Sequence, residues 1–449
     1  MSDLLSIGAS GVRAYQTALS TVSENIANTG TAGYTRRATT LGEVGSISGG
    51  VSARSVSTGS GVAVSGIARS ADAYRAQAVR SAGTDLAKTE TSVTWMSRIE
   101  SSLGDNKLGD RLTSFFSAAQ TLSADPTSVP ARSVMLESAA SAAAAFTATG
   151  KALDTAAADL DTATRQATQT LNSFGTALAK VNDGIARSQK GSTNAAQLAD
   201  QRDQLLEQMS TITDISADFD DLGRATVRLG GASGPVFVAG PDSGNVSYLK
   251  NDEGAVGFVV QRTGTTSAVT PSGGALAGYA EGAQKIVAAR DTLNGIATDF
   301  TTQVNAIQAQ GRDLDGKAGT PLFKTGDTPT SITVVLTDPR GIAAAGATGG
   351  ARDASNLAAL LATRDPTTGS EQRLTNMITS NAASLEQRRL VGDAQGAIRD
   401  GAVTARDSGS GVDLDSEAVD LLRFQQAYQA SSRVIQTARD TLQTIFDLR

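Results

Sequence analysis

Among its 449 residues the chain has neither a cysteine nor a histidine. The first absence excludes disulfides and thiol chemistry. The two together exclude Cys/His zinc centres and any mechanism that uses imidazole as its base. Only 4% of the residues are aromatic, so the cores must be built from Ala, Leu, Ile and Val. Such side chains let helices approach closely but give thin, weakly stabilised layers. No apolar run reaches the ~18 residues of a membrane-spanning helix, so no membrane insertion is expected. Residues 1–10 lack the basic start, apolar run and cleavage site of a secretory signal. The 39 basic residues are outnumbered by 45 acidic ones and are scattered, which gives no electrostatic footprint for nucleic acid. Composition alone reads as cytoplasmic.

What is present is periodicity. The length suggests two or three domains. From Asp3 to Asn28, Leu5, Val12, Leu19 and Ile26 recur every seven residues, with Gly8, Tyr15 and Val22 three behind. From Leu414 to Leu448, Leu421, Tyr428, Ile435 and Leu442 do the same, followed by Phe424, Ser431, Ala438 and Ile445. These are the seams of coiled-coil helices. Gly409, Ser410 and Gly411 are read as the break before the second helix, which Asp413 or Asp415 would cap. The simplest closure packs one terminal helix on the other. Each alone is marginal in water, so the termini are expected to be largely unfolded in the free subunit and to fold on assembly.

Between the ends, Val51, Val56, Val62, Val64 and Ile67 around Gly59 and Gly61 predict a short hairpin near 51–68. Helices are predicted over 71–103, 108–122, 131–187, 194–209, 276–310, 354–361 and 371–405. Short apolar runs at 226–229, 236–238 and 257–260, spaced by Gly, Asp, Ser and Pro, predict a small antiparallel β domain, and 332–336 a lone strand. The fold class is therefore mainly α with a β insertion. Residues 1–40 and 410–449 form a terminal coiled-coil domain, 41–211 and 273–409 a helical rod, and 212–272 an outer β domain.

The sharper chemical readings are weak. Asp313-Leu314-Asp315-Gly316 opens like a calcium loop, but Lys317 stands where an oxygen ligand is needed, so a turn is expected. Among Asp200, Arg202, Asp203 and Glu207, the second Asp and the Glu share a helix face with Asp200 nearby, which reads as salt bridging rather than catalysis. Gly59-Ser60-Gly61 and Gly409-Ser410-Gly411 complete no phosphate-binding motif. Tyr34, Arg36 and Arg37 fall in a loop, where a local turn contact and a bond to a neighbouring subunit weigh equally. No metal, cofactor or enzymatic role is expected.

Two stretches carry a family likeness. Asn25, Ala27 and Asn28, followed by Gly33-Tyr34-Thr35-Arg36, resemble the signature of flagellar axial proteins, with Ala32 where proline is usual. Leu421 through Ile435, including Gln425, Gln426 and Tyr428, resembles the partner signature at the other end. Three internal stretches, Gly59 to Tyr74, Asn194 to Leu205 and Gly274 to Gly316, are similar to the hook-associated branch of that family, at the hook–filament junction. The resemblance implies a structural subunit that forms a ring with its own copies, docks on the hook protein and presents a surface to the second junction protein, hook-associated protein 3. It implies export without a cleaved signal peptide to an extracellular flagellum, escorted by a flagellar export chaperone bound to the C-terminal helix. The assembly interface would be Leu5, Val12, Tyr15, Leu19, Val22, Ile26, Leu421, Phe424, Tyr428, Ile435, Leu442 and Ile445. Rod or hook subunits, a flagellin, and a secreted hydrolase with axial-type ends are the rival readings.

Overall fold

The structure, a computed structural model, describes residues 2–44, 61–252 and 254–447. Helix α1 (Ser2–Ala27) leads through a loop to β1 (Arg37–Glu43), which pairs antiparallel with β2 (Val62–Arg69). The partner of Val62–Arg69 thus lies upstream of the hairpin expected near 51–68, and Val51, Val56, Gly59 and Ser60 fall outside the described residues. With Leu41 its one large apolar side chain, β1 gives a weaker apolar signal than the valines that follow it.

Helix α2 (Ala73–Gly104) is capped by Asp72, whose carboxylate accepts from the amides of Tyr74 and Arg75. After α3 (Leu108–Ala124), Ser128 caps the 59-residue α4 (Val129–Arg187), a rod of ~90 Å at 1.5 Å per residue. Ser192 caps α5 (Thr193–Ile212). Two small antiparallel sheets follow: β3 (Ile215–Phe219), β4 (Ala225–Leu229), β5 (Val236–Ala239) and β6 (Asp242–Ser243), then β7 (Asn245–Lys250), β8 (Val256–Arg262) and β9 (Thr265–Val269). The chain returns as α6 (Gly274–Gln310), the ribbon β10 (Phe323–Thr325) with β11 (Ile332–Val334), α7 (Ser355–Ala362), α8 (Ser370–Ser410) and α9 (Leu414–Asp447). The strand at 332–334 is therefore paired rather than lone. Gly409 and Ser410 belong to the last turn of α8 rather than to a break, and the chain turns at Gly411–Asp413.

Three apolar cores result among the described residues. The largest joins α2, α3, the first half of α4, α6 and the start of α8 around Phe115, Phe116, Phe146, Phe300 and Phe323. The second packs the sheets on the later half of α4 and on α5, with Phe237, Phe258 and Val260 against Leu171, Leu178 and Leu206. Gly175 of α4 makes room for the Phe237 ring, which an added Cβ would meet at 2.5 Å. The third core, between α1 and α9, is small, with Ala18, Val22 and Phe424 at its buried centre and Tyr15, Leu19 and Leu421 packed half-buried on them.

Candidate functional site

Helices α1 and α9 run antiparallel. Gly8 faces Ile435, Gly11 faces Ser431, and the rings of Tyr15 and Phe424 lie 6.4 Å apart. A Cβ on Gly8 would come within 2.7 Å of Ile435 and one on Gly11 within 2.5 Å of the Ser431 hydroxyl, so small residues set the helix separation. The buried line of α1 is Gly8, Gly11, Ala14, Ala18, Thr21, Val22 and Asn25. Leu5, Val12, Tyr15 and Leu19 flank it half-buried, and Ile26 turns outward at 37% exposure. On α9, Phe424 and Ala438 are buried, while Leu421, Tyr428, Ile435 and Leu442 are half-buried. Ile445, expected in the seam, is instead 51% exposed beside exposed Phe446.

At the far end of this pair the seam changes from apolar to ionic. Asn25 is wholly buried. Its amide nitrogen donates to the Arg37 carbonyl (2.8 Å) and to the Glu417 carboxylate (2.9 Å), and its oxygen accepts from the Arg37 amide (3.0 Å) and the Tyr34 hydroxyl (2.8 Å). Glu417 is also wholly buried, and Arg36 clamps it at 2.6 Å while reaching Asp420 at 3.2 Å. Burial pushes the Tyr34 phenol above its ordinary pKa despite the Arg37 guanidinium, 4.7 Å over its ring, which favours the neutral donor that Asn25 needs.

The chain of charges continues into the rod. Buried Arg37 bonds Glu24 (3.2 Å) and Asp200 of α5 (3.0 Å). Arg69 of β2 bridges Asp200 and Asp203, both at 2.8 Å. Arg202 holds Asp203 at 2.6 Å, donates to the Gly223 carbonyl in the β3–β4 turn and stacks on Phe219. Glu207 pairs with Arg406 near the end of α8 at 2.8 Å. Backbone ties run alongside: Arg36 N–H to the Ser410 carbonyl (2.9 Å) and Ile67 N–H to the Gly191 carbonyl (2.7 Å). One network thus links α1, the loop after it, the β1–β2 pair, α5, the end of α8 and the first turn of α9. Its carboxylates are engaged by guanidinium groups. Buried pairs of this kind add little net stability but fix one register, since any slip strands a charge.

The remaining signature residues serve the loop or face outward. Asn28 donates to the Glu24 carbonyl at the end of α1 (2.8 Å). Gly33 adopts φ +75° against Gln204, whose amide donates to the Ala32 carbonyl. Ala27, Gln425 and Gln426 are exposed. Tyr34, Arg36 and Arg37, left open between local and intersubunit contacts, bond within the chain, and Arg37 begins β1 rather than lying in the loop. Asp413 caps α9 by accepting from the amides of Asp415 and Ser416. In the calcium-like turn, the Asp313 carboxylate accepts from the amides of Asp315 and Lys317.

Sequence reading missed the role of Glu417 and Arg69. A signal for Glu417 existed: it lies seven residues before Phe424 on the seam, and a charge at such a position needs a buried partner. Beside the network opens a cleft of about 910 Å³ between the loop at 30–35, the start of α2, α5 and the end of α8.

Comparison with known proteins follows this anatomy. The family described as flagellar hook-associated protein FlgK helical domain matches residues 96–323, and flagellar basal body rod FlgEFG protein C-terminal matches residues 404–448. Flagellar hook-associated protein 1 of Salmonella typhimurium is 30% identical over 339 residues, which cover 73% of this chain and 60% of that one. The chain therefore spans about 60% of the length of this relative. The Bacillus subtilis protein of the same name is 24% identical over 96% of this chain and 94% of its own. The solved flagellar hook junction protein FlgK from Burkholderia pseudomallei shares the fold, with a TM-score of 0.65 at 14% identity over 74% of this chain and 99% of that one.

Proposed function

The chain belongs to the FlgK family of flagellar hook-associated proteins, and from that premise we propose that it is a structural subunit of the bacterial flagellum at the hook–filament junction. It docks on the distal end of the hook, forms a ring with its own copies and templates the next junction protein and the filament. It works by holding surfaces in place, not by turning over a substrate. In this reading residues 1–40 and 410–449 form the assembly domain, 41–211 and 273–409 the wall, and 212–272 the outward face. The chain leaves the cell through flagellar export with a chaperone on α9.

The observation that carries the reading is the α1–α9 pair, a helix pair with a small apolar core locked at one end by Asn25, Arg36 and Glu417. Its remaining apolar side chains, among them Leu422, Val434, Ile445 and Phe446, stay exposed and offer area to neighbouring copies. Tubular assembly requires such contacts to be heterologous. The match to rod-protein C-termini covers an end shared by axial subunits, so the helical-domain match favours the junction over the rod.

Imaging hook ends in a strain lacking this chain tests the proposal: bare hooks with flagellin lost to the medium are expected. Leu421→Asp or Ile435→Asp should give the same phenotype with the middle domains folded. Normal filaments in the deletion strain sink the reading.

A further inference from the structure

Arg80 of α2 lies on the wall of the 910 Å³ cleft and is 7% exposed. One of its guanidinium nitrogens donates to Gln77 on its own helix at 2.8 Å. Among the described residues no carboxylate lies within ion-pair distance of it. The carboxylates that line the same cleft are all engaged elsewhere: Asp72 with Arg75, Asp200 with Arg37 and Arg69, Asp203 with Arg69 and Arg202, and Glu207 and Asp407 with Arg406. Burial lowers the pKa of Arg80, and the more distant Asp203 and Glu207 do not offset it. A cation this buried, without a counter-ion and facing open space, is costly unless something supplies a negative charge.

We propose that this cleft is a docking site for an acidic side chain presented by a second copy of the chain, with Arg80 as its counter-ion. The proposal rests on the junction reading, in which like copies are the nearest neighbours. Residues 45–60 carry no aspartate or glutamate, and Asp252 and Gly254, the neighbours of Glu253, do not line the cleft. The cleft is far larger than a small inorganic anion and has room for a stretch of backbone. A chain with 45 acidic and 39 basic residues offers its neighbours a surplus of carboxylates. The contact is heterologous, as a ring requires, because the cleft on one copy receives a different surface of the next.

The test uses the full-length chain in assembled flagella. Arg80→Lys keeps the charge and adds an amine that a zero-length carbodiimide joins to a touching carboxylate. A cross-linked dimer is expected, with its linking peptide joining the amine introduced at position 80 to an aspartate or glutamate. Linkage confined to the monomer, or absent while chains carrying Arg80→Lys still occupy hook ends, overturns the proposal. Arg80→Gln should lower hook-end occupancy ~30-fold, as for the loss of one member of a buried charge pair, and unchanged occupancy overturns it. In the parent chain, amide exchange at residues 30–35 should slow on assembly, and equal rates in free and assembled chains overturn the proposal however the variants fold. Failure here, with the deletion strain still giving bare hooks, leaves the junction reading standing.

Discussion

Replacing Glu417 by alanine should loosen the two ends of the molecule together and leave the middle untouched. The carboxylate is wholly buried, 2.6 Å from Arg36 and 2.9 Å from the Asn25 amide. Removing one member of a buried pair costs ~3–5 kcal/mol. Two features reduce that here. Arg36 is 28% exposed and keeps Asp420 at 3.2 Å, and the Asn25 amide keeps the Arg37 carbonyl at 2.8 Å. A cost of ~2–3 kcal/mol remains. The apolar core of the pair is small, centred on Ala18, Val22 and Phe424, so opening there is separate from global unfolding. Amide exchange along α1 and α9 should therefore speed up ~30- to 150-fold, with α4 unchanged. Glu417→Gln keeps the shape and one acceptor and should cost about 1 kcal/mol. In a double-mutant cycle, Arg36→Ala should cost far less in the Glu417→Ala background than alone. Exchange within twofold of the parent, or equal acceleration in α4, refutes the lock. So do parent termini that exchange freely from the start, the outcome expected if they fold only on assembly.

Two further outcomes follow from the packing. Gly11→Val should force α1 and α9 apart, because its Cβ would sit 2.5 Å from the Ser431 hydroxyl; ~1–3 kcal/mol is expected in the exchange of the pair, and Ser431→Gly should restore much of it. In the second core, Tyr248→Phe removes the 2.7 Å bond to Asp161 and should cost about 1 kcal/mol at neutral pH. Burial, with the nearby Asp161 carboxylate, raises the Tyr248 pKa above its ordinary 10, so the folded state holds that proton more tightly than the unfolded chain. Its contribution is full below pH 10 and is lost as pH rises further, so chemical unfolding of the variant should show a flatter alkaline limb.

Legibility differed by element for physical reasons. Helix periodicity is a local property, so α4, α6 and the stripes of α1 and α9 could be read within a few residues of their ends. The β insertion was read from Val227, Val238 and Val260, which are buried on inner strands. Strands β3, β7 and β9 were missed because they lie at sheet edges and carry Ser, Thr, Asp or Asn along much of their length. The partner of β2 was misplaced because pairing depends on where the chain returns, which the valines alone do not specify.

By itself the sequence determined which segments are helical, which side of each terminal helix is apolar, and that no thiol or imidazole chemistry is available. The tertiary structure decided what those helices face. Heptad spacing marks a stripe but not its centre, and the contact falls on Gly8, Gly11 and Ala18 rather than on Val12 and Ile26 because close approach selects the small residues. It also decided that Asn25, Arg36, Arg37 and Glu417 serve one chain's own joint. Residues about 390 positions apart meet only once the intervening rod has folded back, and that distance in space is written in no local pattern.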